Sequence, residues 1–197
     1  MHSKLPRTFY ERSTLKVARD LIGMHLVRVY QGKQLVGRIV ETEAYQGPED
    51  LAAHSARGLT PRNAVMFGAA GHAYVYLIYG IWHCVNVVTR TAGIPHAVLI
   101  RAIEPLHGLD DKTHGPGLLC RAYHIDRQLN GADLLGETLW IEEPTNIRAI
   151  RIQRATRIGI DYAGDWAYKL WRFYDRDSAY VSTLTVAQRR QLQAIAR

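Results

Sequence analysis

The centre of this chain, from Val36 to His54, reads Val-Gly-Arg-Ile-Val-Glu-Thr-Glu-Ala-Tyr-Gln-Gly-Pro-Glu-Asp-Leu-Ala-Ala-His. Its first half is typical of a β-strand, in which alternate side chains point to opposite faces. The pattern predicts one face with Ile39, Glu41, Glu43 and Tyr45 and an opposite face with Arg38, Val40, Thr42 and Ala44. Two carboxylates in an otherwise apolar strand are expensive to bury. Either the strand is half exposed with its acids in water, or the acids serve a site.

The composition indicates one globular domain spanning residues 1–197, with 47% apolar and 22% charged residues. A net charge of +7 and a pI near 9.6 suit a polyanionic partner such as a nucleic acid or an anionic membrane. The sequence has no run of 18 apolar residues, so it predicts no membrane span, and its N-terminus has no apolar signal region. We therefore expect a protein that is not secreted and that acts in the cytoplasm, near the nucleoid, or in a nucleus.

Metal and disulfide chemistry find little support in the sequence. The two cysteines, Cys84 and Cys120, are too few for a disulfide framework and lack metal-ligand spacing. The nine histidines are scattered, without a His-x-His or His-x-x-x-His cluster. We therefore expect neither a metal site nor another cofactor.

The chain before and after the central stretch alternates between helical and strand patterns. Residues 13–22 predict a helix capped by Ser13 and ended by Gly23, and His25–Tyr30 predicts a strand that forms a hairpin with the strand at Val36. After His54, Thr60-Pro61 is typical of a helix start, where the backbone can also hold a phosphate.

Residues 73–88 predict a second hairpin, with Tyr79-Gly80 at its tip and Ile81 and Trp82 just beyond. Aromatic residues inside strands usually belong to the core. A hairpin tip projects from its domain, so an aromatic residue there is exposed. On a basic protein, such a residue suggests a wedge for a stack of nucleic-acid bases.

The apolar run of residues 97–102 predicts a buried strand that carries Arg101 and therefore needs an acidic partner: Glu41, Glu43 or Glu104. A glycine-rich loop, a helix from Leu118, short elements near 139–141, 149–152 and 157–160, and a final helix from Thr185 complete the pattern. Residues 166–174 interleave basic and aromatic side chains, which suits either a nucleic-acid contact or a packed edge. The fold class is α+β.

Several short motifs, in this order along nearly the whole chain, resemble the alkyladenine (3-methyladenine) DNA glycosylase family. They are Glu41-Thr42-Glu43-Ala44-Tyr45, Ala53-His54-Ser55, Thr60-Pro61-Arg62-Asn63, Tyr74-Val75-Tyr76, Ile78-Tyr79-Gly80, Asn86, Arg101-Ala102 with Glu104-Pro105, Gly115-Pro116 with Leu119-Cys120, and Arg157-x-Gly159. The resemblance implies a monomeric, metal-free enzyme with a curved, open-barrel-like antiparallel sheet surrounded by helices and a protruding hairpin.

The resemblance also implies the reaction and the role of each matching residue. Such an enzyme flips a damaged purine out of duplex DNA and hydrolyses its N-glycosidic bond, leaving an abasic site. Tyr45, His54 and Tyr76 match the residues that sandwich the base, and Asn86 matches the asparagine that crowds the amino group of normal guanine. The DNA contacts are expected from Tyr79, the intercalating residue, together with Ile81, Trp82, Thr60 and Arg62.

The catalytic group implied by the match is Glu43, with Arg101 and the main-chain carbonyl of Ile158 holding the attacking water. Positive charge builds on the sugar when the bond breaks, and a carboxylate both stabilises that charge and accepts a proton from water. Glu41 is the alternative carboxylate, expected to pair with an arginine. Two other functions remain open: a non-catalytic nucleic-acid-binding module with the formyltransferase C-terminal fold, and a hydrolase of free nucleosides.

Overall fold

The computed structural model describes residues 3–109, 112–145 and 149–183. Three short α-helices lie within these residues: α1 (Arg7–Tyr10), α2 (Thr14–Asp20) and α3 (Pro116–Ala122). Eight strands are present there, namely β1 (His25–Tyr30), β2 (Lys33–Gln46), β3 (Ala73–Ile78), β4 (Trp82–Thr89), β5 (His96–His107), β6 (Leu139–Glu142), β7 (Ile152–Ala155) and β8 (Arg172–Asp175). The predicted α+β class is confirmed, although the helices are few and short.

The strand that carries the central stretch, β2, organises the sheet. Its pairing partners are all antiparallel: β5 along one edge, and first β1 and then β8 along the other. The path through the sheet is β3-β4-β5-β2-β1-β6, and β7 joins only through β8. This change of partner along one edge curls the sheet into a half-barrel with a separate β7–β8 hairpin, which confirms the predicted curved sheet.

A double β-bulge interrupts the pairing of β2 with β5 and alters the predicted faces. Ile39 pairs with Ile103 and Glu41 pairs with Ala102, so Val40 is the extra residue on β2; Arg101 is in turn skipped on β5. Both strands therefore reverse their alternation. Ile39 now points into the main core together with Ala44, on the face opposite to Glu41, Glu43 and Tyr45. The predicted sharing of a face by Ile39 and the two acids is wrong for this reason.

The main core lies between the sheet and α2, which packs on the face that Thr42 occupies. The Thr42 hydroxyl donates to the main-chain carbonyl of Ala18 at 2.7 Å and so satisfies a polar group in the core. Glu41, Glu43 and Thr42 are all completely buried. The half-exposed strand considered above is thus excluded, and the acids of β2 belong to a buried polar site.

The hairpin predicted for residues 73–88 is confirmed as β3 and β4, which pair in register up to Ile78 and Trp82. Tyr79 and Gly80 both adopt the left-handed conformation, with φ of 53° and 72°. This turn leaves the Tyr79 side chain 86% exposed and that of Ile81 70% exposed. The tip therefore presents two large apolar side chains to solvent.

Several local predictions differ in detail from the structure. Thr60-Pro61 begins a turn, in which Thr60 and Asn63 exchange hydrogen bonds, and a 3-10 helix follows only at Ala64–Phe67. Ser13 is the N-cap residue of α2, as predicted, but its side chain makes no capping hydrogen bond. Of the short elements predicted near 149–152 and 157–160, the first is a strand that begins only at Ile152, and no helix or strand forms at 157–160.

The final helix predicted from Thr185 lies outside the described residues. Within them, no helix is both long enough and apolar enough to cross a membrane.

Candidate active site

A cavity of about 130 Å³ opens beside the face of β2 that carries Glu43 and Tyr45. Its walls contain six residues that the sequence analysis selected and several that it did not. The selected residues are Tyr45, His54, Tyr76, Asn86, Arg101 and Ile158; the others include Tyr74, Cys84, Leu99, Gly159 and Tyr162. Residues that are far apart in the sequence thus converge on one space.

Glu43 lies directly behind the wall of this cavity and has no exposed surface. The Ile158 N–H donates to its Oε1 at 2.9 Å, and the Tyr45 hydroxyl donates to its Oε2 at 2.8 Å. Arg101 Nη1 is 3.4 Å from the same Oε2. All three of these neighbours line the cavity. The carboxylate therefore contacts three residues of the cavity wall, and its contact with Arg101 is the longest of the three.

The surroundings of Glu43 act on its pKa in opposite directions. Burial raises the pKa of Glu43 above its ordinary value, whereas Arg101, the Ile158 N–H and the Tyr45 hydroxyl oppose that rise. The neighbouring Glu41 adds to it. The net result is a raised pKa for Glu43, which brings this pKa closer to the pH range in which a general base operates.

Glu41 occupies a different environment from Glu43, and its partners explain its burial. It accepts from Arg172 Nη1 at 2.9 Å and from the Ser182 N–H at 2.7 Å, and Arg101 Nε lies 3.5 Å from its Oε1. Arg101 therefore bridges the two acids. The third candidate partner of Arg101, Glu104, instead pairs with Arg38 at 3.0 Å.

Aromatic rings form much of the cavity wall. The His54 ring meets the Tyr76 ring edge-on, with centroids 4.4 Å apart, and its Nδ1 is 2.9 Å from the Tyr74 hydroxyl. Burial and the nearby Arg62 lower the pKa of His54, so the ring is neutral near pH 7. The Asn86 amide donates to the Tyr74 carbonyl at 3.0 Å, which fixes the orientation of its side chain. These rings offer flat faces to a planar ligand.

The candidate DNA-contacting residues lie around this cavity but differ in exposure. Tyr79 and Trp82 line a second cavity of about 360 Å³, which shares Arg101 and Ile158 with the first. Trp82 is not part of the free tip: its ring lies so close to Gly117 that a β-carbon there would sit 2.8 Å from a ring atom. Ile81 is exposed at the tip and lines neither cavity.

Arg62 and Thr60 lie on the other side of His54, where they line a third, polar cleft. Arg62 Nη2 donates to the Leu77 carbonyl at 3.0 Å, and its guanidinium is 5.6 Å from the centroid of the Tyr76 ring. The Arg62 side chain therefore packs near the Tyr76 ring and is also exposed to solvent. The helix start predicted at Thr60, where the backbone could also have held a phosphate, is absent because no helix begins there.

Sequence reasoning missed three features of this site. Tyr74 was named only within the Tyr74-Val75-Tyr76 motif, without a role, yet its hydroxyl lies within hydrogen-bond distance of His54. Cys84 was considered for metals and disulfides, and it proves to be a buried residue of the cavity wall. The buried pair of Asp50 and Arg157 gave no local signal, because the two residues are 107 positions apart in the chain.

A metal role is not supported by the residues that the structure describes, since no three of their His, Cys, Asp or Glu side chains are grouped to hold an ion.

Comparisons with known proteins identify the family. The model of the methylpurine-DNA glycosylase family matches residues 8–179. Relatives named "putative 3-methyladenine DNA glycosylase" include one from Legionella pneumophila (strain Corby), 53% identical over 91% of this chain and 98% of its own length. Others are from Anaeromyxobacter dehalogenans (53%; 91% and 86%) and Methanocella arvoryzae (50%; 90% and 95%). The chain belongs to the methylpurine-DNA glycosylase family.

Proposed function

We propose that this chain removes alkylated and deaminated purines from duplex DNA by flipping the nucleotide into the aromatic cavity and hydrolysing its N-glycosidic bond. The lesions expected are 3-methyladenine, 7-methylguanine, hypoxanthine and ethenoadenine. Family membership supports glycosylase activity in base excision repair. The observation that carries the detailed mechanism is one buried carboxylate held by three residues that line an aromatic cavity.

The cavity suits a purine base in its shape and its chemistry. Tyr45, His54 and Tyr76 supply rings on which a flipped base can stack, and stacking on an aromatic side chain is worth about 1–3 kcal/mol per base. Alkylated purines such as 3-methyladenine carry a positive charge, which strengthens their attraction to electron-rich rings. Asn86 stands at the wall with its amide already bonded to Tyr74, so it is positioned to crowd the amino group of normal guanine, which lacks the positive charge that favours 7-methylguanine in the pocket.

Glu43 supplies the chemistry in this proposal. When the bond between the base and the deoxyribose breaks, positive charge develops on the sugar, and a carboxylate nearby stabilises it. The same carboxylate accepts a proton from the attacking water. Arg101 and Ile158 both line the cavity, and the Arg101 side chain and the main-chain carbonyl of Ile158 are the groups proposed to hold that water. The long Arg101–Glu43 contact of 3.4 Å is the one most easily exchanged for a water-mediated contact.

The hairpin tip explains how the nucleotide leaves the helix. Flipping costs a few kcal/mol, which a side chain filling the vacated space helps to offset. Tyr79 is exposed and lines the second cavity, which adjoins the base cavity at Arg101 and Ile158. Because the two cavities adjoin, the sugar and its phosphates can lie between Tyr79 and Glu43 in this proposal. The net charge of +7 supports binding to the DNA backbone.

The test of the proposed function is a single-turnover excision assay on duplexes that each carry one lesion. We expect release of free base, an abasic site and no strand cleavage for at least one damaged purine, and no release from the corresponding free nucleoside. Release from the free nucleoside alone would support a nucleoside hydrolase. Binding of damaged duplex without any release would support the non-catalytic nucleic-acid-binding module.

The pH dependence of excision follows from the pKa of Glu43. The base form of the carboxylate is required, so the rate should fall as pH falls through this pKa and level off above it. Because burial raises the pKa of Glu43, the midpoint of the acid limb should lie above 4.5, the ordinary value for glutamate. The measurement is the single-turnover rate on one lesion duplex across pH. A rate that rises as pH is lowered would contradict base catalysis by Glu43.

A further inference from the structure

A fully buried ion pair lies just outside the aromatic cavity, between Arg157 and Asp50. Arg157 Nη1 donates to Asp50 Oδ2 at 2.5 Å and Nη2 donates to Oδ1 at 2.8 Å, and neither side chain has exposed surface. The two-bond geometry is the one that a planar guanidinium favours with a carboxylate. Burying both charges carries a large desolvation cost, which only good geometry and further hydrogen bonds offset. A buried ion pair of this kind is therefore not readily explained by a contribution to folding stability.

The other contacts of Arg157 lead toward the site. Its Nη1 also donates to the Ala44 carbonyl at 2.9 Å and its Nη2 to the Trp166 carbonyl at 3.2 Å. The guanidinium lies 4.7 Å from the centroid of the Tyr45 ring, within the range of a cation–π contact. Arg157 therefore contacts both the main chain of the residue before Tyr45, through the Ala44 carbonyl, and the ring of Tyr45 itself.

Asp50 anchors the loop that leaves β2. Besides Arg157, it accepts from the Gln46 N–H and the Ala52 N–H, each at 3.1 Å. Ala52 belongs to the wall of the base cavity. Asp50 thus fixes both the exit of β2 and one edge of the cavity, and it couples both to Arg157.

Two of the three groups that hold Glu43 depend on this pair. Ile158, whose N–H donates to Glu43 Oε1, directly follows Arg157 in the chain. Tyr45, whose hydroxyl donates to Glu43 Oε2, rests on the guanidinium. Arg101 is the third group, and it is held separately by Glu41 and Ser182.

We propose that Arg157 and Asp50 form a positioning pair for the reaction, which orients the Glu43 carboxylate through Ile158 and Tyr45. This inference rests on the proposed function. Neither residue touches the substrate, and the pair acts only by holding the two donors on Glu43 and the ring on which the base stacks. Loosening the pair should therefore slow the chemical step more than it weakens DNA binding.

A structural role alone would leave the pH profile of the reaction unchanged, and a positioning role would not. The Ile158 and Tyr45 hydrogen bonds lower the pKa of Glu43, so weakening them should move the acid limb of the rate profile to higher pH. The charged and titratable groups that face Glu43 are Arg101 from β5, Glu41 and Tyr45 from β2, and Tyr76 and Cys84 from β3 and β4. Only Tyr45 among these contacts Arg157, so the others should keep their influence.

The experiment compares Arg157→Lys with the wild-type chain and with Arg151→Lys. Lysine keeps the charge beside Asp50 but loses the two-bond geometry and the flat contact with Tyr45. Arg151 is a matched control because it also makes two bonds to an aspartate, Asp177, but lies exposed and away from the cavities. Asp50→Asn is the second variant, in case Arg157→Lys does not fold. Folding is checked by circular dichroism, and each variant is measured at a temperature where it is fully folded.

The expected result is a single-turnover excision rate lowered by about 10²-fold in Arg157→Lys or Asp50→Asn, the scale of a displaced catalytic group. The affinity for lesion duplex should stay within a few-fold, and the midpoint of the acid limb should rise. Arg151→Lys should match the wild type in all three measurements. A folded variant with the wild-type rate and midpoint, or one that loses only thermal stability, would overturn the positioning role. Absence of excision by the wild type would instead count against the proposed function.

Discussion

Glu43→Gln is expected to abolish detectable excision of the damaged base while binding to the lesion duplex stays nearly unchanged. The amide has the size of the carboxylate, so it should fit among Tyr45, Arg101 and the Ile158 N–H with the fold intact. It cannot take a proton from water, and it carries no charge to stabilise a positive sugar. General base catalysis alone contributes about 10²–10⁴-fold, and loss of the charge adds to that.

The measurement pairs a single-turnover excision assay with a binding titration on the same duplex. Glu104→Gln is a suitable control, because Glu104 is also a glutamate near β2 but pairs with Arg38 and lines none of the cavities described above. The control should excise at the wild-type rate. A Glu43→Gln variant that excised within 10-fold of the wild-type rate would remove the carboxylate from the mechanism.

Tyr79→Ser is expected to slow excision from duplex DNA by roughly 5- to 150-fold, the equivalent of losing one aromatic stacking contact of about 1–3 kcal/mol. Serine is smaller than the space left by a flipped nucleotide, so it cannot substitute for the ring. The variant should still fold, because the Tyr79 side chain is 86% exposed. The same lesion in single-stranded DNA needs no flipping from a stack, so its excision should change much less.

The control for this prediction is Leu106→Ser. Leu106 is an exposed apolar residue of β5 that lines neither the base cavity nor the cavity beside the tip. Its replacement should leave duplex excision unchanged. Equal losses in the two variants, or equal losses on single and double strands for Tyr79→Ser, would argue against a wedge.

Local patterns predicted the parts of the fold that depend on neighbouring residues. The alternation in β1 and β2, the turn between them, and the hairpin with Tyr79-Gly80 at its tip follow from strand periodicity and turn chemistry, and all are present. The change of partner along β2 could not be read from the sequence, because it depends on which distant strands reach the same edge.

The double bulge shows why a correct strand prediction still misplaced a side chain. Strict alternation puts Ile39 beside Glu41 and Glu43, but the extra Val40 reverses the faces between them. No residue at this position signals a bulge, since Val40 itself favours regular strands. The reversal has a functional consequence: Ile39, before the bulge, packs in the main core, whereas Glu41 and Glu43, after the bulge, lie on the face beside the cavity.

The sequence predicted the site residues whose burial is chemically unusual, but it missed the residues that hold them in place. Buried acids beside Tyr45 and an arginine in an apolar run attract attention because their burial is costly. Tyr74 and Asp50 have ordinary sequence surroundings, and only the fold brings them to His54 and Arg157. The helix expected at Thr60 failed because a Thr-Pro pair caps a turn as readily as it caps a helix.

The most direct test of the account is a crystal structure of the Glu43→Gln variant bound to a duplex that carries one ethenoadenine or hypoxanthine. The account predicts an uncleaved nucleotide outside the helix, its base between Tyr45, His54 and Tyr76, the amide of residue 43 facing its sugar, and the Tyr79 ring in the gap. A lesion that stays stacked within the duplex, or a base bound away from this cavity, would contradict it.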